Sequence, residues 1–162
     1  MKQLKLLSLL FLSLCLLSCG DDDDDDDSGA DFINQPIQGM INGNDWEASS
    51  GIAGPSPFEE GMLSIEISDM EFEDICDEFI LGGLRVLFSI PNEVGTYELD
   101  FGTQTITLFD PDGSLNVIVV DGTVEIQTID ATEGGSVTGR IVGESDDENF
   151  VNRYFTATYC PE

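Results

Sequence analysis

The chain has 162 residues, of which 33 are acidic and five basic, with no histidine and a net charge of −28. A field of that sign repels phosphate backbones, which excludes nucleic acid as a partner. Without an imidazole the usual base of a nucleophilic triad and a common zinc ligand are both missing, and the chain reads as a non-enzyme.

Residues 1–18 have the three parts of a secretory signal. Lys2 and Lys5 form the positive end, and Leu4 to Leu17 form an apolar run of about 14 residues, short of the ~20 needed to span a bilayer. Ser18 places a small side chain at the cut. Leu16-Leu17-Ser18-Cys19 resembles the bacterial lipobox. The resemblance implies that Cys19 carries a diacylglycerol and becomes the mature N-terminus, anchoring the protein to the membrane. Several acyl chains hold stably where one binds marginally.

Seven aspartates follow, Asp21 to Asp27. Their mutual repulsion and lack of apolar surface leave nothing to offset the entropy of ordering, so 19–31 reads as a tether. From Asp21 to Ala30 it reaches at most roughly 33 Å. Acidic residues directly after a lipidated cysteine resemble the surface-export signal of Bacteroidota lipoproteins. That resemblance implies an outer-membrane protein facing the cell exterior. Cleavage would leave Arg85, Arg140 and Arg153 as the only cations against 33 carboxylates, a net charge of −30. Salt screens such self-repulsion.

Residues 32–162 form one expected domain, long enough to bury a core. Ile37 to Ile41 reads as a strand, Asn42-Gly43 as a hairpin turn and Trp46 to Ala48 as the returning arm. Ser49 to Gly61, rich in Gly, Pro and Ser, reads as a loop. Leu63, Ile65 and Ile67 alternate with polar residues, the period of a half-buried strand. The acidic stretch Asp69 to Glu78 reads as a loop or irregular edge. Further strands are expected over Leu84–Ile90, Tyr97–Phe101, Thr103–Phe109, Leu115–Val120, Thr123–Ile129, Ser136–Gly143 and Val151–Tyr159. Asp110-Pro111-Asp112-Gly113 and Thr132 to Gly135 read as turns, Asp121-Gly122 as a two-residue hairpin and Glu144 to Asn149 as a polar loop.

This is an all-β pattern of about 8–10 short strands, implying an antiparallel β-sandwich or a partly open β-barrel. The expected core is Ile65, Val86, Phe88, Ile106, Leu108, Val117, Val119, Val124, Ile126, Ile141 and Phe155. Trp46 reads as a core or hairpin anchor rather than a platform for sugar. With Cys15 removed and Cys19 lipidated, Cys76 and Cys160 are expected to form a disulfide in an oxidising exterior.

Several segments taken in order carry a further likeness. They are Gly39-Met40-Ile41-Asn42-Gly43 with Trp46-Glu47-Ala48, Pro91-Asn92-Glu93-Val94-Gly95-Thr96-Tyr97, Gly122-Thr123-Val124-Glu125-Ile126, Val137-Thr138-Gly139-Arg140-Ile141 and Phe155-Thr156-Ala157. Their order over 37–158 resembles a group of uncharacterised Bacteroidota lipoproteins with an all-β domain of unknown function. The resemblance supplies no catalytic residues.

Calcium, which takes carboxylate and carbonyl oxygens, is the metal that suits this composition. Asp69, Glu71, Glu73, Asp74 and Asp77, with Glu66 and Glu78 nearby, are the candidate ligands. Asp69, Glu71 and Glu73 match the start of an EF-hand loop, but Asp74 stands where that loop needs glycine and Ile80 where it needs its bidentate acid. Asp146, Asp147, Glu148 and Asn149 form a second acidic group, and a solvated acidic loop is the plain alternative for both. Two functional readings remain. One is a surface binding or interaction module for a glycan or a protein partner. The other is a structural lipoprotein of the cell envelope with no small-molecule ligand. The oligomeric state stays open.

Overall fold

The computed structural model describes residues 35–72, 74–77, 82–113 and 116–161. The signal segment, Cys19 and the aspartate tether lie outside these residues. The described chain contains no helix and builds eleven strands: β1 Gln38–Ile41, β2 Asn44–Glu47, β3 Ser50–Pro55, β4 Met62–Ser68, β5 Arg85–Pro91, β6 Gly95–Glu98, β7 Ile106–Phe109, β8 Val117–Val119, β9 Gly122–Ile129, β10 Ser136–Asp146 and β11 Asn149–Tyr159.

All eleven belong to one sheet in the order β6-β9-β10-β11-β3-β4-β5-β7-β8, with β1 beside β11 and β2 outside β1. The strand pairs are antiparallel except β11 with β3. The sheet is open and curls into a half-barrel. Its concave face holds the core, because alternate residues of each strand point inward. Leu63, Ile65 and Ile67 of β4, Val86, Phe88 and Ile90 of β5, and Ile106 and Leu108 of β7 are all buried. Each contributes about 1.5–3 kcal/mol by leaving water. Of the expected core residues only Val117 is not fully buried, and it packs against the rest.

Curling brings the β7–β8 end of the sheet over β10. A Cβ on Gly143 would lie 2.9 Å from Ile106 Cδ1 and 3.2 Å from Val119 Cγ1. Glycine there lets the two parts of the sheet approach.

The Asn42-Gly43 turn closes β1 and β2 with positive φ at both residues, 50° and 75°. That is the signature of the tight turn whose twist matches a hairpin. Asp110 to Gly113 also turns as expected, with Gly113 N donating to Asp110 O at 3.1 Å. Trp46 is 3% exposed, and its indole Nε1 donates to Leu84 O at 2.9 Å, so it is a core anchor. Cys76 and Cys160 are disulfide-bonded with Cα atoms 5.4 Å apart, tying the acidic segment after β4 to the end of β11.

Several expectations need correction. The Gly-Pro-Ser-rich segment expected as a loop contains β3, in the middle of the sheet between β11 and β4. Its small residues serve close strand packing. A Cβ on Gly51 would stand 2.9 Å from Thr156 O, and one on Gly54 2.6 Å from Cys160 O. The count of strands therefore rises to eleven. Asp121-Gly122 does not make a hairpin, because β8 pairs with β7 while β9 pairs with β6 and β10. The dipeptide instead carries the chain across from the β8 edge, and Gly122 takes φ 142° beside β10. The strand expected over Tyr97–Phe101 ends at Glu98, leaving Phe101 in a turn and 83% exposed. The loop expected over Glu144–Asn149 is mostly strand, with a shift in register between Glu144 and Asp146.

Candidate functional site

The longest paired strands, β10 and β11, position the chemistry on the convex face. β11 changes partner along its length. Phe150, Val151 and Asn152 pair with β1, whereas Thr158 and Tyr159 pair in parallel with β3. Between those two ladders the sheet opens into a shallow groove of about 470 Å³, lined by Gln35, Pro36, Ser49, Ser50, Tyr154 and Thr156 among others. A second hollow, of about 440 Å³, lies entirely within the loop from Pro55 to Met62. A third, of about 290 Å³, is flanked by Asp45 and Glu47. Of these three, the groove at β11 draws on the most elements.

Next to Tyr154 of its wall lies a backbone irregularity at Arg153. Opposite β10, Arg153 pairs with buried Ile141, in the inward row that includes Val151 and Phe155. On the other edge the antiparallel β1 ladder gives way to an isolated parallel bridge between Pro36 and Tyr154. Gln38 pairs with Asn152, then Ile37 N donates to Tyr154 O at 2.7 Å and Tyr154 N donates to Gln35 O at 3.0 Å. Arg153 thus sits where the edge pairing of β11 switches from antiparallel to parallel, while its register with β10 runs on unbroken. Its φ is 110°, a region that favours glycine, at a cost of order 1–3 kcal/mol. The residue is half-buried rather than in the core, and its Nη1 donates to Gln35 Oε1 at 2.6 Å in an exposed hydrogen bond.

Next to it runs a lateral row, Glu125 on β9, Arg140 on β10 and Tyr154 on β11, placed side by side by the register. Arg140 Nε donates to Glu125 Oε2 at 2.8 Å, and Nη2 contacts the same oxygen. The guanidinium carbon lies 5.6 Å from the centre of the Tyr154 ring. Burial works against the Arg140 charge, but the hydrogen bond and charge of Glu125, with a contribution from Tyr154, outweigh it and raise the pKa above the ordinary value. Two further rows up, Thr128 and Thr138 share a hydroxyl hydrogen bond of 2.7 Å, in register with exposed Thr156. The third arginine, Arg85, is distant in the ladder. It donates to Glu66 Oε1 at 2.6 Å and lies 4.1 Å from the Phe109 ring centre.

The carboxylates singled out for calcium are not gathered in this way. Among the described residues no three or more acidic, His or Cys side chains come together where a metal ion could be held. Glu73 and Glu78 lie outside those residues. Asp74 and Asp77 share a backbone turn, with Asp77 N donating to Asp74 O at 3.2 Å, and with Glu71 they are exposed. Asp69 differs, since its Oδ1 is buried with no hydrogen-bond partner among the described residues. Glu66 is engaged by Arg85. The second acidic group is used to build its own turn. Asp146 Oδ1 accepts from Glu148 N at 3.0 Å and Asn149 Nδ2 at 2.9 Å, while Asn149 Oδ1 accepts from Asn42 N at 2.9 Å. In a melting experiment on the purified protein, sodium chloride should raise Tm by screening the negative charge. Calcium at matched ionic strength should raise it no further. A saturable extra rise with calcium would instead reveal a site on the folded state.

Sequence reasoning did not gather Gln35, Tyr154 and Thr156, or place Arg140 and Arg153 around them. One signal was available. Along β11 the inward row reads Asn149, Val151, Arg153, Phe155, Ala157, and a charged residue among apolar ones marks a break in the strand. No protein-family model matches the chain, and no curated protein or solved structure matches it.

Proposed function

We propose that this protein is a lipid-anchored binding module of the outer cell surface, and that the groove at β11 receives a saccharide. The observation that carries the binding reading is the groove itself, a multi-element recess whose wall combines an aromatic ring with neutral hydrogen-bonding groups. Tyr154 offers a ring face to the C–H side of a sugar. Ser49, Ser50, Thr156 and Gln35 offer hydroxyls and an amide that match sugar hydroxyls. The volume lies within the usual range for small-ligand sites, roughly 300–1,000 Å³. The address rests on the lipobox at Cys19 and the aspartate tether, both sequence features. The curled sheet supports the partly open barrel over the two-sheet sandwich.

The test is a glycan-binding screen on the purified protein, followed by titration of the best ligand against Tyr154→Ala. The variant should keep the wild-type Tm within a few degrees, because Tyr154 is half-exposed, and should weaken binding about tenfold or more. Unchanged affinity would remove the groove from consideration. Labelling of intact cells by an impermeant reagent, lost on Cys19→Ala, tests the address.

A further inference from the structure

We propose that Arg153 makes this groove selective for a sugar bearing a carboxylate, a uronic acid. The inference rests on the saccharide reading above and adds to it the charge of the ligand. It starts from a contrast among the three arginines. Arg85 and Arg140 are each neutralised by a glutamate on a neighbouring strand. Arg153 has no carboxylate within ion-pair distance among the described residues, and its side-chain partner is the neutral amide of Gln35. In a chain with 33 acidic residues, carboxylates are abundant, yet none of the described ones stands there.

The backbone supplies a second, independent observation. Arg153 has φ 110°, a conformation that favours glycine, at the point where the edge pairing of β11 switches from antiparallel to parallel. Holding a long charged side chain in that position is unfavourable for the fold, and such outliers concentrate at functional sites. The inward row would carry Arg153 toward the core beside Ile141, and the guanidinium instead meets Gln35, a residue of the groove wall.

The chemistry of the guanidinium completes the argument. It has five N–H donors in a planar fork, and Gln35 accepts from one nitrogen. The remaining edge matches a carboxylate, which takes two parallel hydrogen bonds from arginine. A uronic acid would present that carboxylate at the rim while its ring lies against Tyr154. The net negative charge of the domain opposes an anionic ligand at long range, but at physiological salt that field decays over about 8 Å. The short contact with Arg153 therefore decides between acid and neutral sugar.

The experiment is calorimetric titration of the purified protein with trigalacturonate, with its methyl ester, and with a glutamate trimer as an acidic peptide of similar charge. The expected result is preference for the free acid over the ester by about tenfold or more, with the peptide weaker than either. Arg153→Gln should abolish the preference, bringing the free acid and the ester to similar affinity. Gln35→Glu leaves Arg153 in place but supplies it with a carboxylate, and should abolish the preference too. Circular dichroism and Tm of both variants confirm folding. Equal binding of acid and ester would overturn this proposal and leave the saccharide reading standing. Tighter binding of the peptide would overturn the uronic-acid assignment in favour of a protein ligand. Binding of neither sugar form, with neutral glycans also silent in the screen, would overturn both.

Discussion

Replacing Cys76 and Cys160 together by serine should lower the unfolding free energy by about 2–4 kcal/mol, read as a fall in the urea midpoint with a steeper slope as the unfolded chain is released from the cross-link. The bond closes a loop spanning 84 positions. In the chain-entropy account, a cross-link of that span removes about 4–5 kcal/mol of freedom from the unfolded chain, and real bridges deliver less. The native-state effect is also local. Cys160 directly follows β11, and its backbone N–H donates to Ala53 O at 2.8 Å, so the bond fastens the acidic segment to the β11–β3 parallel ladder. That ladder is short, pairing Thr158 with Ile52 and Tyr159 with Ala53. Reduction of the wild-type protein should reproduce the loss seen in the double variant. If oxidised, reduced and serine forms share one midpoint, the bond contributes nothing to stability and the ladder holds by packing alone.

The second large effect is expected at Trp46. Trp46→Ala should cost about 3–5 kcal/mol, the range for removing a large buried aromatic side chain. Trp46 is the chain's single tryptophan and is almost wholly buried, on a two-stranded hairpin that pairs with the sheet only through β1 and β11. Its indole fills the core and also bonds Leu84 O just before β5, so one side chain joins the hairpin to the far part of the half-barrel. Leu84 O also accepts from Asp69 N at 3.3 Å and keeps a donor when the indole is lost. Trp46→Phe should therefore cost only about 0.5–1.5 kcal/mol, the net value of one hydrogen bond. The Phe and Ala variants lack the fluorophore, so far-ultraviolet circular dichroism must follow their unfolding. Equal losses in the two variants would assign the effect to the hydrogen bond and overturn the packing account.

Much of the fold was legible because its signals are local. A strand with one face buried announces itself by alternation, as Leu63-Ser64-Ile65-Glu66-Ile67 does, and the alternation also names the core. The Asn42-Gly43 turn is legible because glycine and asparagine tolerate the positive φ it requires. β3 was not legible, since Gly51, Gly54 and Pro55 are punctuation to a local reading. Their real role is to let β11 come close, and β11 lies a hundred residues further along. Asp121-Gly122 failed for the converse reason. It has the composition of a hairpin turn, but the strands beside it find their partners elsewhere in the chain.

The sequence by itself determined the class of the fold, the residues that fill it and the pair of cysteines that closes it. Each depends on side-chain chemistry repeated at short intervals. Only the tertiary structure decided that the strands share one curled sheet, that β11 passes from β1 to β3, and that Arg153 leaves the inward row to meet Gln35 of the groove wall. Those facts depend on which distant backbones approach one another. Backbone hydrogen bonding is the same for every residue type but proline, so the choice of a distant partner leaves little trace in the order of the residues.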